Sequence, residues 1–137
     1  MNIRRVFSFL TLLALVALGI IFVDRRNSYR NITAEDAVRL AKTDTSVIFL
    51  DVRTRDEYQG ETGHLPGAYL IPFQEIEQRM EELERLKPKR IIMYCQTGRS
   101  SANASILLAK RGFSVFNLEG GIVRWQHEGY PVAKGGN

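Results

Sequence analysis

The sequence predicts an α/β fold of three layers, in which a mostly parallel central sheet is flanked by helices on both faces. Two observations support this prediction. Three short segments are mostly apolar and rich in β-branched or aromatic residues, namely Ser46–Val52, Arg90–Tyr94 and Ser114–Leu118. Segments with a helical spacing of apolar residues separate them. Strands buried on both faces have this character, and their alternation with helices is typical of a parallel sheet.

Capping residues and apolar spacing predict the other elements. Thr33 lies three positions before Asp36, which resembles a capping box, and Thr54 begins a short helical turn in a similar way. Pro66 and Gly67 mark a turn. These signals predict helices near residues 34–41, 54–58, 73–86, 101–111 and 121–127, and a short strand over Tyr69–Ile71.

An uncharged apolar segment of 18 residues runs from Val6 to Val23. As a helix it would span about 27 Å, close to the roughly 30 Å hydrocarbon core of a bilayer. A signal peptide cleaved near Ala17-Leu18-Gly19 is the alternative, but Ile20–Val23 continue the apolar run past that site. We therefore expect residues 1–26 to be a membrane anchor or signal segment, residues 27–31 a linker, and residues 32–137 one folded domain.

The net charge of +4 is concentrated beside this segment. Without Arg4, Arg5, Asp24, Arg25 and Arg26 the chain has 15 basic and 14 acidic residues. It contains no basic stripe with interleaved aromatics, so nucleic-acid binding is not expected. Basic residues flank the apolar run on both sides, so the positive-inside rule does not decide the orientation of this segment in the membrane. Because signal-like N-termini usually keep their short basic end inside, we expect a single-pass anchor with the domain on the exported, periplasmic side.

The chain has a single cysteine, which excludes an intrachain disulfide and a zinc site built on several cysteines. The two histidines, His64 and His127, have no local ligand spacing. We therefore expect no metal site.

Cys95 follows a predicted buried strand and begins a loop that opens the next helix. Backbone N–H groups of such a loop, with the free N–H groups of the helix start, point toward the sulfur. Arg99 adds positive charge, and Gly98 permits a bend that a side chain would obstruct. Ser100 or Ser101 can cap the helix or donate to a bound anion. These features favour the thiolate, so we expect a nucleophilic thiol with a pKa below its usual value of about 8.5.

Four segments, in this order, resemble the rhodanese (thiosulfate sulfurtransferase) family. They are Asp51-Val52-Arg53 with Glu57-Tyr58; Gly63-His64-Leu65-Pro66-Gly67-Ala68; the loop Tyr94–Ser101; and Gly112-Phe113 with Asn117–Ile122 and Trp125. The resemblance extends from about Asn31 to Val132. It implies a single rhodanese-like domain, here combined with a membrane segment.

The resemblance implies that sulfur is transferred in two steps. The Cys95 thiolate takes the outer sulfur of a small anionic donor such as thiosulfate, and a thiol or cyanide then removes this sulfur from the persulfide. Neither a metal nor an organic cofactor is needed, and the sequence does not identify a protein partner. The loop residues expected to bind the donor and hold the persulfide are Gln96, Thr97, Gly98, Arg99, Ser100 and Ser101.

Other residues of the resembling segments are expected to support the site. Asp51 and Arg53 lie at a strand end, where a buried hydrogen-bonded pair is favoured over direct substrate contact. His64 lies in a Gly-His-x-Pro-Gly turn and is expected to fix that loop rather than act as a general base. Glu119–Gly121 should bring backbone close to the active loop, and Trp125 is expected in the core.

The sequence departs from the family pattern at two places. Many members have an arginine at the position of Ser100, whereas here the arginine is one residue earlier, at Arg99; this affects the expected donor. The stretch Gln59–Thr62 is longer than usual and could alter the rim of the pocket.

Two functions from other classes compete with sulfur transfer. A related phosphatase or arsenate reductase would need an arginine at position 101, which is Ser101. A membrane-tethered module without turnover, which binds a partner or senses sulfide or oxidants, remains the alternative.

Overall fold

The computed structural model describes residues 28–135. The elements in chain order are β1 (Arg30–Ile32), α1 (Ala34–Thr43), β2 (Val47–Asp51), α2 (Arg55–Gln59), β3 (Tyr69–Leu70), a 3₁₀ turn (Phe73–Glu75), α3 (Met80–Glu84), β4 (Arg90–Tyr94), α4 (Arg99–Lys110), β5 (Ser114–Leu118) and α5 (Gly121–His127). The predicted alternation of strands and helices is confirmed. Both predicted caps are also present, since Thr33 accepts from Asp36 N–H and Thr54 forms a capping box with Glu57.

The central sheet has five strands in the order β1-β5-β4-β2-β3, and each neighbouring pair is parallel. Strand β4 lies in the middle, paired with β2 from Arg90 to Tyr94 and with β5 over most of its length. Because the strands run in one direction, their carboxyl ends share one edge of the sheet. Ligand sites of open α/β sheets lie at this edge, and Cys95 follows β4 there.

Each face of the sheet buries a hydrophobic cluster. Alternation along β4 places Ile91, Met93 and Cys95 on one face and Ile92 and Tyr94 on the other. The helix residues that cover the first face are Leu83, Ala104 and Leu108, and those that cover the second are Ala34, Ala37, Ile122 and Trp125. The predicted three-layer arrangement is therefore confirmed, with Cys95 on the face that α4 covers.

The continuous helix predicted over residues 73–86 is wrong, because the structure has the 3₁₀ turn and then the separate helix α3. The start of this segment is tied to the sheet by Phe73 N–H, which donates to Val52 O at 2.9 Å. Arg79, just before α3, donates to Leu70 O at 3.3 Å. Ile76 and Leu83 are both fully buried. The apolar spacing therefore identified the buried face of the segment but not its break.

One strand, β1, was not predicted, and the end of another, β3, differs from its prediction. Strand β1 includes residues 30 and 31 of the predicted linker, and it forms by pairing Arg30 with Phe116 and Ile32 with Leu118 of β5. Its exposed, polar first two residues carry no strand signal of their own. Strand β3 ends before the predicted Ile71, and Pro72, which lacks an N–H, follows directly.

Among residues 28–135, no helix is both long and apolar enough to cross a membrane. The predicted anchor at residues 6–23 and its signal-peptide alternative lie outside the described residues. Both stay predictions.

The chain after α5 returns to the turn that precedes β3. His64 and Ala133 form an antiparallel bridge, in which the two N–H groups donate to the opposite carbonyls at 2.9 and 2.8 Å. Trp125 Nε1 donates to Pro131 O at 2.8 Å. Tyr130 packs against the indole ring of Trp125, with 4.9 Å between the ring centroids. These contacts cover the end of α5 and the second hydrophobic cluster.

Candidate active site

The candidate site is built where β4 ends and α4 begins. Cys95 directly follows β4, and a short loop ending at Gly98 leads to Arg99, the first residue of α4. Gly98 has a left-handed φ of 94°, and a Cβ at this position would lie 3.1 Å from Leu118 O. Glycine adopts this conformation without the strain that a side chain would add. The bend predicted at Gly98 is therefore confirmed.

Cys95 is buried, and hydrogen-bond donors surround its sulfur. The N–H groups of Gly98 and Ser101 lie 3.2 and 3.4 Å from Cys95 Sγ, and Ser101 Oγ lies 3.4 Å from it. Burial raises the pKa of the Cys95 thiol, but hydrogen bonds from the Ser101 hydroxyl and from the N–H groups of Ser101, Thr97 and Gly98 lower this pKa by more. The pKa of the Cys95 thiol therefore lies below its ordinary value, as expected from the sequence.

Ser101 does not cap the helix, contrary to one of its predicted roles. The N-cap of α4 is Gly98, and no side chain makes a capping hydrogen bond there. Ser101 is fully buried, and its hydroxyl lies 2.7 Å from Asn117 Oδ1 as well as near the Cys95 sulfur. Ser100, the other candidate cap, is exposed. A serine in the first turn of a helix can face the solvent or the core, and its neighbours in sequence do not decide between the two.

The start of α5 holds the carbonyl groups of the active-site loop. Ile122 N–H donates to Cys95 O at 3.0 Å, and Val123 N–H donates to Gln96 O at 3.2 Å. A Cβ on Gly121 would lie 2.4 Å from Cys95 O and 2.5 Å from Gln96 O. The predicted close approach of the Glu119–Gly121 backbone to the loop is therefore confirmed, and Gly121 is the residue that permits it.

A cavity of about 230 Å³ opens above the sulfur. The active-site loop contributes Cys95, Gln96, Thr97, Arg99 and Ser100 to its wall, and the other lining residues are Val52, Arg53, Thr54, Glu57, Phe73 and Gln74. The Glu57 carboxylate already accepts hydrogen bonds from the N–H and hydroxyl of Thr54 at 3.0 and 2.8 Å. The guanidinium groups of Arg53 and Arg99 therefore line the cavity together with the hydrogen-bonded Glu57 carboxylate. Because Arg53 is paired with Asp51, the positive charge that favours a small anion here is that of Arg99.

Asp51 and Arg53 form a buried ion pair at the carboxyl end of β2. Arg53 Nη2 lies 2.6 Å from Asp51 Oδ2, and Arg53 Nε donates to both carboxylate oxygens at 3.0 and 3.1 Å. Arg53 also donates to Gly63 O at 2.7 Å, and its guanidinium lies over the ring of Tyr94. Arg53 lines the cavity and Asp51 does not. The expected buried pair is therefore present, with only its arginine beside the reaction space.

Residues 33–128 match the model of a family described as the Rhodanese-like domain. The chain belongs to the rhodanese-like family. The match begins at the Thr33 cap and ends just after α5, so it includes Cys95, its loop and the α5 residues that hold the loop.

Relatives of this rhodanese-like chain differ in how much of their length it covers. A protein called Sulfurtransferase, from Allochromatium vinosum, is 36% identical over 95 residues, which cover 69% of this chain and 84% of that protein. An uncharacterized protein of Bacillus subtilis is 38% identical over 77 residues, which cover 56% of this chain and 58% of that protein. The tRNA uridine(34) hydroxylase of Cronobacter sakazakii is 33% identical over 98 residues, but these cover 65% of this chain and 28% of the hydroxylase. Similarity to the hydroxylase is therefore similarity to a part of it.

Solved structures of rhodanese-like proteins have the same architecture. A rhodanese-related protein from Thermoplasma volcanium superposes with a TM-score of 0.69 at 33% identity, covering 77% of this chain and 98% of that one. A rhodanese-like domain protein from Staphylococcus aureus superposes with a TM-score of 0.65 at 28% identity, covering 77% and 99% of the two chains.

His64 lies in the predicted Gly-His-x-Pro-Gly turn but outside the wall of the cavity. Its Nδ1 lies 3.0 Å from Tyr58 O, and its ring stacks on the Tyr58 ring with 3.7 Å between centroids. Together with the bridge to Ala133, these contacts hold the turn before β3. The structure thus brings Cys95 and its loop together with Arg53, while His64 and Asp51 support the site from outside the cavity.

The rhodanese-like site also contains residues for which the sequence predicts no individual role. Phe73 and Gln74 lie in the cavity wall, and no local motif marks them. Asn117 is buried beside Ser101. A signal for Asn117 was available, because it is a polar residue inside the apolar strand β5.

Proposed function

We propose that this rhodanese-like domain is a sulfurtransferase that carries a sulfane sulfur on Cys95 as a persulfide. The observation that supports the proposal most is the set of N–H and O–H donors around a buried Sγ that faces a cavity lined by arginines. Such donors stabilise negative charge on sulfur, both in the attacking thiolate and in the persulfide. The relative called Sulfurtransferase supports the same class of reaction.

The first step consumes an anionic donor such as thiosulfate. The Cys95 thiolate attacks the outer sulfur of the donor, and a new S–S bond forms between the two sulfur atoms. The S–S bond within thiosulfate breaks, and its electron pair leaves with sulfite. The persulfide anion that remains on Cys95 carries the negative charge of the former thiolate, and no proton or electron is needed from outside.

The second step returns the enzyme to its starting state. A thiolate or cyanide attacks the terminal sulfur of the persulfide, and the S–S bond to Cys95 breaks with its electron pair returning to Cys95. Arg99 draws the anionic donor into the cavity, and Gln96, Thr97 and Ser100 contact it from the loop wall. Gly98 and Ser101 hold the charged sulfur from its buried side.

The test is to incubate the full chain in detergent with thiosulfate and to measure its intact mass. We expect a gain of one sulfur atom in the wild type and none in Cys95→Ser. On addition of cyanide, the wild type should lose this sulfur and release thiocyanate. The rate for Cys95→Ser should be lower by at least about 10³-fold, because the nucleophile has been removed.

The outcomes of this test separate the candidate functions. Neither a mass gain nor turnover, with thiosulfate and with glutathione persulfide as a second donor, would contradict sulfur transfer and favour a binding or sensing module. Thiocyanate formed equally well by Cys95→Ser would show that Cys95 does not carry the sulfur.

We also propose that residues 6–23 anchor the domain to a membrane, with the domain on the exported side. The uncharged 18-residue run with basic residues on both flanks supports this proposal. In Cys95→Ser/Lys134→Cys, the remaining thiol lies in the exposed C-terminal tail. A membrane-impermeant maleimide should label it equally in intact and in lysed cells. Labelling that requires lysis would place the domain inside.

A further inference from the structure

Two buried polar side chains, one on helix α4 and one on strand β5, lie beside the reactive sulfur within a largely apolar core. Ser101 is fully buried, and Asn117 of β5 is 5% exposed. They belong to a hydrogen-bonded chain that runs from Cys95 through Ser101 and Asn117 to Asn31 of β1. Buried polar groups nearly always have hydrogen-bond partners. The donor and acceptor roles of each atom in this hydrogen-bonded series therefore determine how the series acts on the sulfur.

The orientation of the Asn117 amide is fixed by a backbone carbonyl. Asn117 Nδ2 lies 3.2 Å from Gly98 O and 3.1 Å from Asn31 Oδ1. A carbonyl oxygen can only accept, so the nitrogen of the amide must face Gly98. Turning the amide over would place two oxygens against each other. Asn117 Oδ1 therefore faces Ser101 Oγ, at 2.7 Å, as an acceptor.

The Ser101 hydroxyl has one proton and two acceptors within reach. The first is Asn117 Oδ1 at 2.7 Å, and the second is Cys95 Sγ at 3.4 Å. A hydroxyl can donate to one of them at a time. We propose that Asn117 is a positioning residue that tunes Cys95 by competing with its sulfur for the single proton of the Ser101 hydroxyl.

The competition works differently in the two protonation states of Cys95. In the thiol state, the Ser101 hydroxyl donates to Asn117 Oδ1, and its oxygen is free to accept from the thiol S–H. In the thiolate state, the hydroxyl turns to the sulfur, and Asn117 Oδ1 loses its donor. Each gain at the sulfur is thus offset by a loss at Asn117, which keeps the thiol from becoming too acidic. A thiolate of very low pKa is a weaker nucleophile, and the best attacking thiol has a pKa near the ambient pH.

The test measures the thiol itself and therefore does not depend on a sulfur donor, although the purpose of the tuning rests on the proposed function. The rate of Cys95 alkylation by iodoacetamide is followed against pH in the full chain, and its midpoint gives the pKa of the thiol. We expect Asn117→Leu to lower this midpoint by about 0.5–1 pH unit, because the hydroxyl proton becomes fully available to the sulfur. Ser101→Ala should raise the midpoint, because it removes the donor.

The decisive comparison is Asn117→Leu made in the Ser101→Ala chain. Competition for the Ser101 proton predicts no further shift there. A purely structural role predicts that the loop loosens, so that Asn117→Leu raises the midpoint and does so with or without Ser101. A midpoint raised by Asn117→Leu, whether in the wild-type chain or in the Ser101→Ala chain, would overturn the proposal.

Two more variants separate hydrogen bonding from packing. Asn117→Ala leaves space where Asn117→Leu fills it, yet both remove the competing acceptor, so both should lower the midpoint. Asn31→Ala is the matched control, because Asn31 is exposed and bonds the far end of the same amide; we expect no shift. The charged groups that line the cavity over the sulfur, Arg53, Glu57 and Arg99, are unchanged in every variant. A midpoint that moves as much in Asn31→Ala as in Asn117→Leu would contradict the competition.

Discussion

The Gly121→Ala variant is expected to lose most of its Cys95 reactivity together with much of its stability. The added Cβ would lie 2.4 Å from Cys95 O and 2.5 Å from Gln96 O. Both oxygens belong to the backbone and cannot swing aside as a side chain can, so the active-site loop must move away from α5. The hydrogen bonds from the N–H groups of Ile122 and Val123 to these carbonyls would then be lost.

A displacement of about 1 Å at a reacting group can reduce a rate by on the order of 10²-fold, and we expect persulfide formation by Gly121→Ala to fall by that order. The free energy of unfolding, measured with urea, should fall by roughly 2–4 kcal/mol. Gly129→Ala is the matched control: Gly129 also has a positive φ, of 82°, but nothing lies within 4 Å of its added Cβ. It shares the backbone strain, about 1–2 kcal/mol, without the clash. Equal losses in both variants would show that the approach of α5 to the loop is not the cause.

The Asp51→Asn variant is expected to lose roughly 3–5 kcal/mol of unfolding free energy, because it leaves the buried Arg53 without its counter-charge. The two side chains are 0% and 2% exposed. An asparagine keeps one acceptor oxygen, but its NH₂ group would face the N–H groups of Arg53. The guanidinium would then retain Gly63 O as an acceptor but no carboxylate.

Asp36→Asn is the matched control for this measurement, because it removes the same charge from the surface ion pair with Arg39, whose side chains are 46% and 69% exposed. Exposed pairs contribute at most about 1 kcal/mol. The double variant Asp51→Asn/Arg53→Met should recover part of the loss, since it removes the unpaired charge. A urea midpoint for Asp51→Asn that matches that of Asp36→Asn would mean that the buried pair does not stabilise the fold.

The elements that the sequence predicted well are those whose cause is local. Strands β2 and β4 are covered on both faces and are therefore apolar nearly throughout, which is visible without any knowledge of their neighbours. The caps at Thr33 and Thr54 act within one helical turn. Because β4 was recognised, the position of Cys95 at the carboxyl edge of the sheet followed directly, and so did the direction of its pKa.

The features that escaped prediction depend on contacts between distant parts of the chain. The hydrogen bond between Ser101 and Asn117 joins residues 16 positions apart, and the hydrogen bond between Asn117 and Asn31 joins residues 86 positions apart. Strand β1 forms by pairing with β5, and two of its three residues are polar and exposed. The inward direction of Ser101 depends on which acceptors meet it across the sheet, and no local spacing encodes these acceptors.

The folding unit is longer than the segment by which its family is recognised. The family match ends at residue 128, whereas the acceptor of the Trp125 indole is Pro131 O and the partner of the His64 backbone is Ala133. A fragment cut at residue 128 would keep Cys95 and every donor around its sulfur. It would also leave a buried indole N–H unsatisfied and open the core beside α5 to water, with the aggregation that exposed apolar surface brings. Trimming this domain to residues 33–128 would thus keep the residues around Cys95 and weaken the fold that positions them.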